Sequence, residues 1–270
     1  MIKPLFKKGK LYICKSINCK SREITEYSDT RINRLCILLN RQVNKLKKLI
    51  EKTEHYHDGY LIAGSTGEGD SLTEKEVQSL IDFLALYKFQ KILCICEDCT
   101  QKVIDKISSL KIPKDFKILL RIPCYYLPKE SGIIKHFVQI FNRFKQYQFI
   151  IYDIKKRTNS TISIDGYKKI CNNCKNFYGI KDCNNDFFKI EKLSKFTNVY
   201  CGNDEKIKEY LKHGAIGHIS VCSIFEENYF LNLDSKLNFE YSNLPNPIGI
   251  KKKLKELGFS SMNLRLPLDF

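Results

Sequence analysis

From Tyr60 onward the chain alternates two patterns. Short, nearly unbroken apolar runs are separated by longer stretches in which apolar residues recur every three or four positions. The runs are YLIAG (60–64), KILCIC (91–96), FKILLRI (116–122), FIIYDI (149–154), FYGIKD (177–182), NVYCG (198–202) and GHISV (217–221). KLYICKSI (10–17) reads as one more strand ahead of them. Helical spacing predicts helices over 73–88, 100–110, 131–146, 164–175 and 204–213, the fourth capped by Ser163. A further helix is predicted from Thr30 to about His55 by Ile32, Leu35, Leu39, Val43, Leu46 and Ile50. Strands that are apolar on both faces and alternate with helices belong to a parallel sheet covered by helices. Eight of them close a (β/α)8 TIM barrel, an α/β fold. The expected organisation is a barrel over residues 1–225, with 226–270 a short C-terminal helical extension packed on it.

Length fits this reading, since 270 residues match one such domain. No apolar run is long enough to span a membrane, and the N-terminus lacks a signal peptide's apolar centre. A cytoplasmic protein without a membrane partner is expected. The formal charge of +16 raises nucleic acid as a partner, yet the lysines are scattered and no nucleic-acid-binding motif occurs. Abundant Lys, Asn, Ile, Tyr and Phe with no Trp fit an A+T-rich coding sequence, so no nucleic-acid partner is expected. Twelve cysteines without a signal peptide read as reduced thiols. Cys171 and Cys174 have zinc-type spacing, and Cys94, Cys96 and Cys99 form a second cluster. Neither has a matching ligand set, and no metal is expected.

In a barrel of this type the chemistry sits where strands end. After the first run come Gly64, Ser65, Thr66, Gly67, Glu68 and Gly69, three glycines in six positions of a chain that has only 13. Glycine permits close approaches and unusual backbone angles, so this turn is expected to wrap a small anion. The other strand ends carry Tyr125, Tyr152, Arg157, Lys181 and Gly202. A lysine on a barrel strand is unusual, because burial disfavours the ammonium and favours the neutral amine of a Schiff-base nucleophile. A side chain reaching solvent or pairing with Asp182 is the alternative.

Taken together, GSTGE (64–68), PCYYLPKESG (123–132), IIYDIKKRT (150–158), GIKD (179–182), CGND (201–204), GHISV (217–221), NPIGIKKKLKELG (246–258) and LRLPL (264–268) resemble the dihydrodipicolinate synthase / N-acetylneuraminate lyase family of class I aldolases. The Arg157-Thr158 pair favours the synthase branch. The resemblance implies pyruvate and L-aspartate-4-semialdehyde as substrates. Lys181 would be the Schiff-base lysine and Tyr152 the proton shuttle. Thr66 would link Tyr152 to Tyr125 of a neighbouring subunit in a homodimer or homotetramer. Ser65 and Thr66 would hold the pyruvate carboxylate, Arg157 the aldehyde's carboxylate, and Gly202 and Ile219 would line the pocket. No cofactor is implied beyond the imine of pyruvate with Lys181. Another pyruvate-dependent aldolase, or a non-catalytic barrel binding ligand or RNA, is the alternative. The family's Thr-Pro after the first strand is missing, residues 1–41 diverge, and the C-terminal helical region is short.

Overall fold

A computed structural model describes residues 6–7, 10–11, 33–37, 43–225, 244–258 and 263–270. Eight parallel strands form a closed barrel: β1 (Asn33–Ile37), β2 (Gly59–Ile62), β3 (Gln90–Ile95), β4 (Phe116–Arg121), β5 (Gln148–Asp153), β6 (Phe177–Asp182), β7 (Asn198–Cys201) and β8 (Gly217–Ser220). Each pairs with the next, and β8 closes on β1 with Gly217 opposite Asn33 and Ile219 opposite Leu35. Every backbone edge is thereby satisfied, which is the physical advantage of closure.

Seven of the eight strands lie within a residue or two of their sequence-predicted positions. The first does not. KLYICKSI is not the barrel's opening strand; Lys10 and Leu11 pair with Phe6 and Lys7 in a two-stranded antiparallel sheet. The opening strand is NRLCI (33–37), inside the stretch expected to be helical, and the helix there is only α1 (Val43–Thr53). The apolar spacing ran through both elements without a break, so periodicity alone could not separate a buried five-residue strand from the helix behind it. Most of the expected N-terminal segment 1–41, and residues 226–243 and 259–262 of the expected C-terminal extension, lie outside the described residues.

The helices cover the barrel through one apolar stripe each. On α2 (Glu74–Ala85) the buried set is Val77, Leu80, Ile81, Phe83 and Leu84, and on α4 (Glu130–Arg143) it includes Ile133, Phe137, Ile140 and Phe141. These are the i, i+3, i+4, i+7 positions of a core-facing helix. Burying one such side chain is worth about 1.5–3 kcal/mol. Thr73 starts α2 with a capping box, accepting from Glu76 N while Glu76 accepts from Thr73 N at 2.9 Å. Ser163 caps α6 (Ile164–Asn173) as the sequence indicated, accepting from Gly166 N at 3.0 Å. No described helix is long and apolar enough to cross a membrane.

The described C-terminal pieces lie over the mouth of the barrel. From α9 (Ile248–Glu256), buried Lys251 pairs with Glu68, whose other carboxylate oxygen accepts from Arg265 N at 2.9 Å. The Arg265 guanidinium binds Glu76 and the Ser71 carbonyl. The segment carrying the glycine-rich turn is thus held from outside by the chain's last residues. Removing one partner of a buried pair such as Lys251–Glu68 costs about 3–5 kcal/mol.

Candidate active site

Side chains alternate along a strand, so Tyr152 and Asp153 on β5 point to opposite faces, as do Lys181 and Asp182 on β6. The register sets Tyr152 directly beside Lys181. Both are buried, and Lys181 Nζ stands 4.4 Å from the centre of the Tyr152 ring. Gly202 closes the third side: a Cβ built there would lie 2.9 Å from Lys181 Cε and 2.4 Å from Cys183 Sγ. Any side chain there would displace the lysine, whose own stem occupies that space.

Burial pushes the Tyr152 phenol well above its usual value, and the nearby Cys183 and Cys94 thiols act in the same direction, against Arg157. Cys183 is pushed up to about 12 by burial, although Lys181 pulls it down. Both groups therefore keep their protons at neutral pH. A phenol that does not rest as phenolate suits a relay that accepts one proton only as it passes on another.

In the glycine-rich turn the unusual backbone angles and the close approach fall on different residues. Its left-handed residues are Ala63 (φ 55°) and Glu68 (φ 53°), while Gly64 has an ordinary φ of −76°. Gly69 has a steric reason, since a Cβ there would fall 1.8 Å from the Ala63 carbonyl oxygen. Ser65 opens a short 3-10 turn, Ser65–Gly67, in which Thr66 is buried and Ser65 half-buried.

Thr66 and Arg157 meet through a residue not singled out in the sequence. The Asn246 carboxamide donates to Thr66 Oγ1 at 2.9 Å, and the Asn246 carbonyl accepts from Arg157 Nη2 at 3.0 Å. Arg157 is exposed on α5 (Lys155–Thr158). Tyr125 stands apart from this group. It is 77% exposed in the loop after β4, with its ring 5.0 Å from that of Tyr126. Ile219 is buried on β8.

Arg121 was also missed. It ends β4 in register with Tyr152 and donates to Asp70 at 3.2 Å, Asp98 at 3.3 Å and the Cys96 carbonyl at 3.1 Å. Asp98 accepts in turn from Cys124 N at 2.7 Å. This cluster braces the loop of Thr66 against the loop of Tyr125. Only its apolar surroundings, LLRI, hinted that Arg121 is half-enclosed. Among the described residues no three His, Cys, Asp or Glu side chains converge as a metal site would need.

A model of the Dihydrodipicolinate synthetase family matches residues 40–230. The 4-hydroxy-tetrahydrodipicolinate synthase of Fervidobacterium nodosum is 29% identical over 233 residues, covering 77% of this chain and 80% of its own. That of Clostridium tetani is 29% identical over 254 residues, covering 83% and 85%. Among solved structures, dihydrodipicolinate synthase from Aquifex aeolicus superposes with a TM-score of 0.77 at 23% identity, covering 88% of this chain and 92% of that one. The lysine-bound enzyme from Cyanidioschyzon merolae gives 0.75 at 23%, covering 88% and 92%. The structural likeness speaks for the fold, and the family match, over well more than half of the sequence, speaks for descent. The chain belongs to the dihydrodipicolinate synthetase family of lyases.

Proposed function

We propose that the chain condenses pyruvate with L-aspartate-4-semialdehyde to 4-hydroxy-tetrahydrodipicolinate, a step of the diaminopimelate route to lysine, through an imine at Lys181. The observation that carries this reading is buried Lys181 beside Tyr152 at the carboxyl end of adjacent barrel strands, with Nζ 4.4 Å from the ring centre. The names of the relatives supply the product, 4-hydroxy-tetrahydrodipicolinate.

Pyruvate lies with its carboxylate at the Ser65-Thr66 turn. The neutral amine of Lys181 attacks the keto carbon, and Tyr152 carries a proton to the new hydroxyl, which leaves as water. Loss of a methyl proton turns the imine into an enamine. The enamine carbon attacks the aldehyde carbon, whose oxygen takes up a proton. The aldehyde's own amino group then adds to the imine carbon and expels Lys181 as a free amine. All atoms and electrons balance without a metal or an external redox group.

Arg157 receives the carboxylate of the aldehyde substrate. Thr66 connects Tyr152 to Tyr125 of a neighbouring copy in a dimer or tetramer, and Gly202 and Ile219 shape the pyruvate pocket. The setting is the cytoplasm. Incubation with pyruvate and borohydride tests the reading, the expected result being a reduced pyruvyl adduct on Lys181. A label on another lysine, or active protein without any, overturns it. A panel of aldehydes then separates the proposed substrate from the sugar-derived aldehydes of related lyases.

A further inference from the structure

Behind the reacting face, the outward neighbours of Tyr152 and Lys181 meet at one side chain. Asp153 follows Tyr152, Asp182 follows Lys181, and both carboxylates are buried. Asn184 Nδ2 donates one hydrogen to Asp153 Oδ1 at 2.8 Å and the other to Asp182 Oδ2 at 2.9 Å. Its Oδ1 accepts from Lys155 N at 2.7 Å, the first amide of the short helix that carries Arg157. One carboxamide therefore uses both donors and its acceptor on three elements, each holding a candidate reactive group.

The remaining oxygens of the two aspartates are also occupied. Asp153 Oδ2 accepts from Thr161, Tyr167 and Lys189, at 2.8, 2.8 and 3.2 Å. Asp182 Oδ1 accepts from Tyr210 Oη at 2.5 Å and from Asn184 N at 2.9 Å. Burial nonetheless raises the Asp182 carboxyl above its usual value. Two carboxylates on neighbouring strands repel each other, and at this strand end the backbone ladder is running out. Asn184 turns that repulsion into a joint. Because side chains alternate, fixing Asp153 and Asp182 on the outer face fixes the peptide planes that aim Tyr152 and Lys181 inward.

Resting on the reaction proposed above, we infer that Asn184 is a positioning residue that sets the alignment of Tyr152 with Lys181. It touches no reacting atom. Its effect is on how well the phenol serves the amine, so it belongs to the chemical steps and not to pyruvate affinity.

The test is a double-mutant cycle on the full chain, with Asn184→Leu, Tyr152→Phe and the pair, read as kcat, KM for pyruvate and the rate of borohydride capture. Asn176→Leu is the matched control. Its carboxamide sits just before the other end of β6 and donates to the carbonyls of Phe141, Phe144 and Tyr147. Loss of two hydrogen bonds to carboxylates should lower kcat about ten- to a hundredfold, with KM for pyruvate within about threefold. Tyr152→Phe, expected to cost about a hundredfold or more in the wild-type background, should cost less than about tenfold beside Asn184→Leu. It should keep its full effect beside Asn176→Leu. If the leucine chain does not fold, Asn184→Ser, which admits water to donate to the two carboxylates, is judged by the same figures. A kcat within twofold of wild type, or a Tyr152→Phe factor unchanged in the Asn184 variant, overturns the inference while wild-type trapping stands. Wild type that is not trapped by pyruvate overturns the reaction, and this inference with it.

Discussion

Asn246 donates its carboxamide to Thr66 Oγ1 at 2.9 Å across 180 residues of sequence, and the same residue's carbonyl accepts from Arg157. The two contacts use different parts of Asn246 and can be separated. Asn246→Ala removes the contact to Thr66 and keeps the carbonyl for Arg157. The expected outcome is a three- to tenfold slower capture of pyruvate, about the value of one buried hydrogen bond. KM for the aldehyde should change by less than about twofold. Steady-state kinetics with both substrates, beside trapping kinetics, check this.

Gly202→Ala forces a Cβ against Lys181 Cε and Cys183 Sγ. Both obstructing atoms belong to side chains that can swing away, so the fold survives but the lysine is displaced. The expected loss is at least about tenfold in kcat with pyruvate capture slowed in parallel, while the unfolding midpoint moves little. A variant that is destabilised but, where folded, fully active would show that the glycine serves packing alone.

Much of this arrangement is legible in the residues because the barrel is repetitive. Buried parallel strands such as FIIYDI and FYGIKD leave an apolar trace on both faces, and chemistry collects at their carboxyl ends. Tyr152, Lys181 and Gly202 could be named for that reason. NRLCI was hidden because a five-residue strand next to a helix continues the helical spacing. Asn246, Asn184 and Arg121 were hidden for another reason. Asparagine is common in this chain, and a carboxamide shows what it joins only when distant segments meet. The glycine-rich turn was legible in part: a close approach does fall on Gly69, but the left-handed positions fall on Ala63 and Glu68, and no composition rule would assign them there.

Arg157→Lys keeps a positive charge but loses the planar fork that grips a carboxylate through two hydrogen bonds. The guanidinium already gives Nη2 to the Asn246 carbonyl, and a single ammonium cannot replace both that contact and a two-pronged grip on a carboxylate. KM for the aldehyde should rise about tenfold or more, with trapping of pyruvate at Lys181 within about twofold of wild type. Equal damage to both half-reactions would make Arg157 a structural support of α5.

Tyr125 and Tyr126 are 77% and 79% exposed side by side at the mouth, and Leu127 beside them is 58% exposed. Such an aromatic pair is suited to burial against another copy of the chain. If Tyr125 completes the Thr66–Tyr152 relay of a neighbour, the active unit is at least a dimer. Tyr125→Phe should then lower kcat without dissociating it, and Tyr125→Ala should weaken assembly as well. Sedimentation velocity at assay concentration checks both. A fully active monomer would refute the shared relay.

Three buried histidines set the acid limit of the fold. Burial is the main cause in each case, lowering His57 to about 3, His136 to about 4 and His218 well below its usual value. In the unfolded chain each takes up a proton near pH 6.5, whereas in the fold each stays neutral until the lower value is reached. Below about pH 6.5 the unfolded state therefore binds more protons, and stability falls. Each histidine contributes about 1.4 kcal/mol per pH unit while its two states differ. The loss continues to about pH 4 for His136 and about pH 3 for His57. Asp70 and Asp182, raised by burial, act in the opposite sense and soften the lowest part of the curve. His136 offers the cleanest check, because its Nδ1 meets Thr100 Oγ1 at 2.9 Å, a contact that Asn can reproduce without a titratable group. His136→Asn should reduce the slope of stability against pH between 6 and 4.5 by about one histidine's share, measured by urea unfolding at closely spaced pH values. An unchanged slope would mean that His136 protonates in the folded protein as readily as in water.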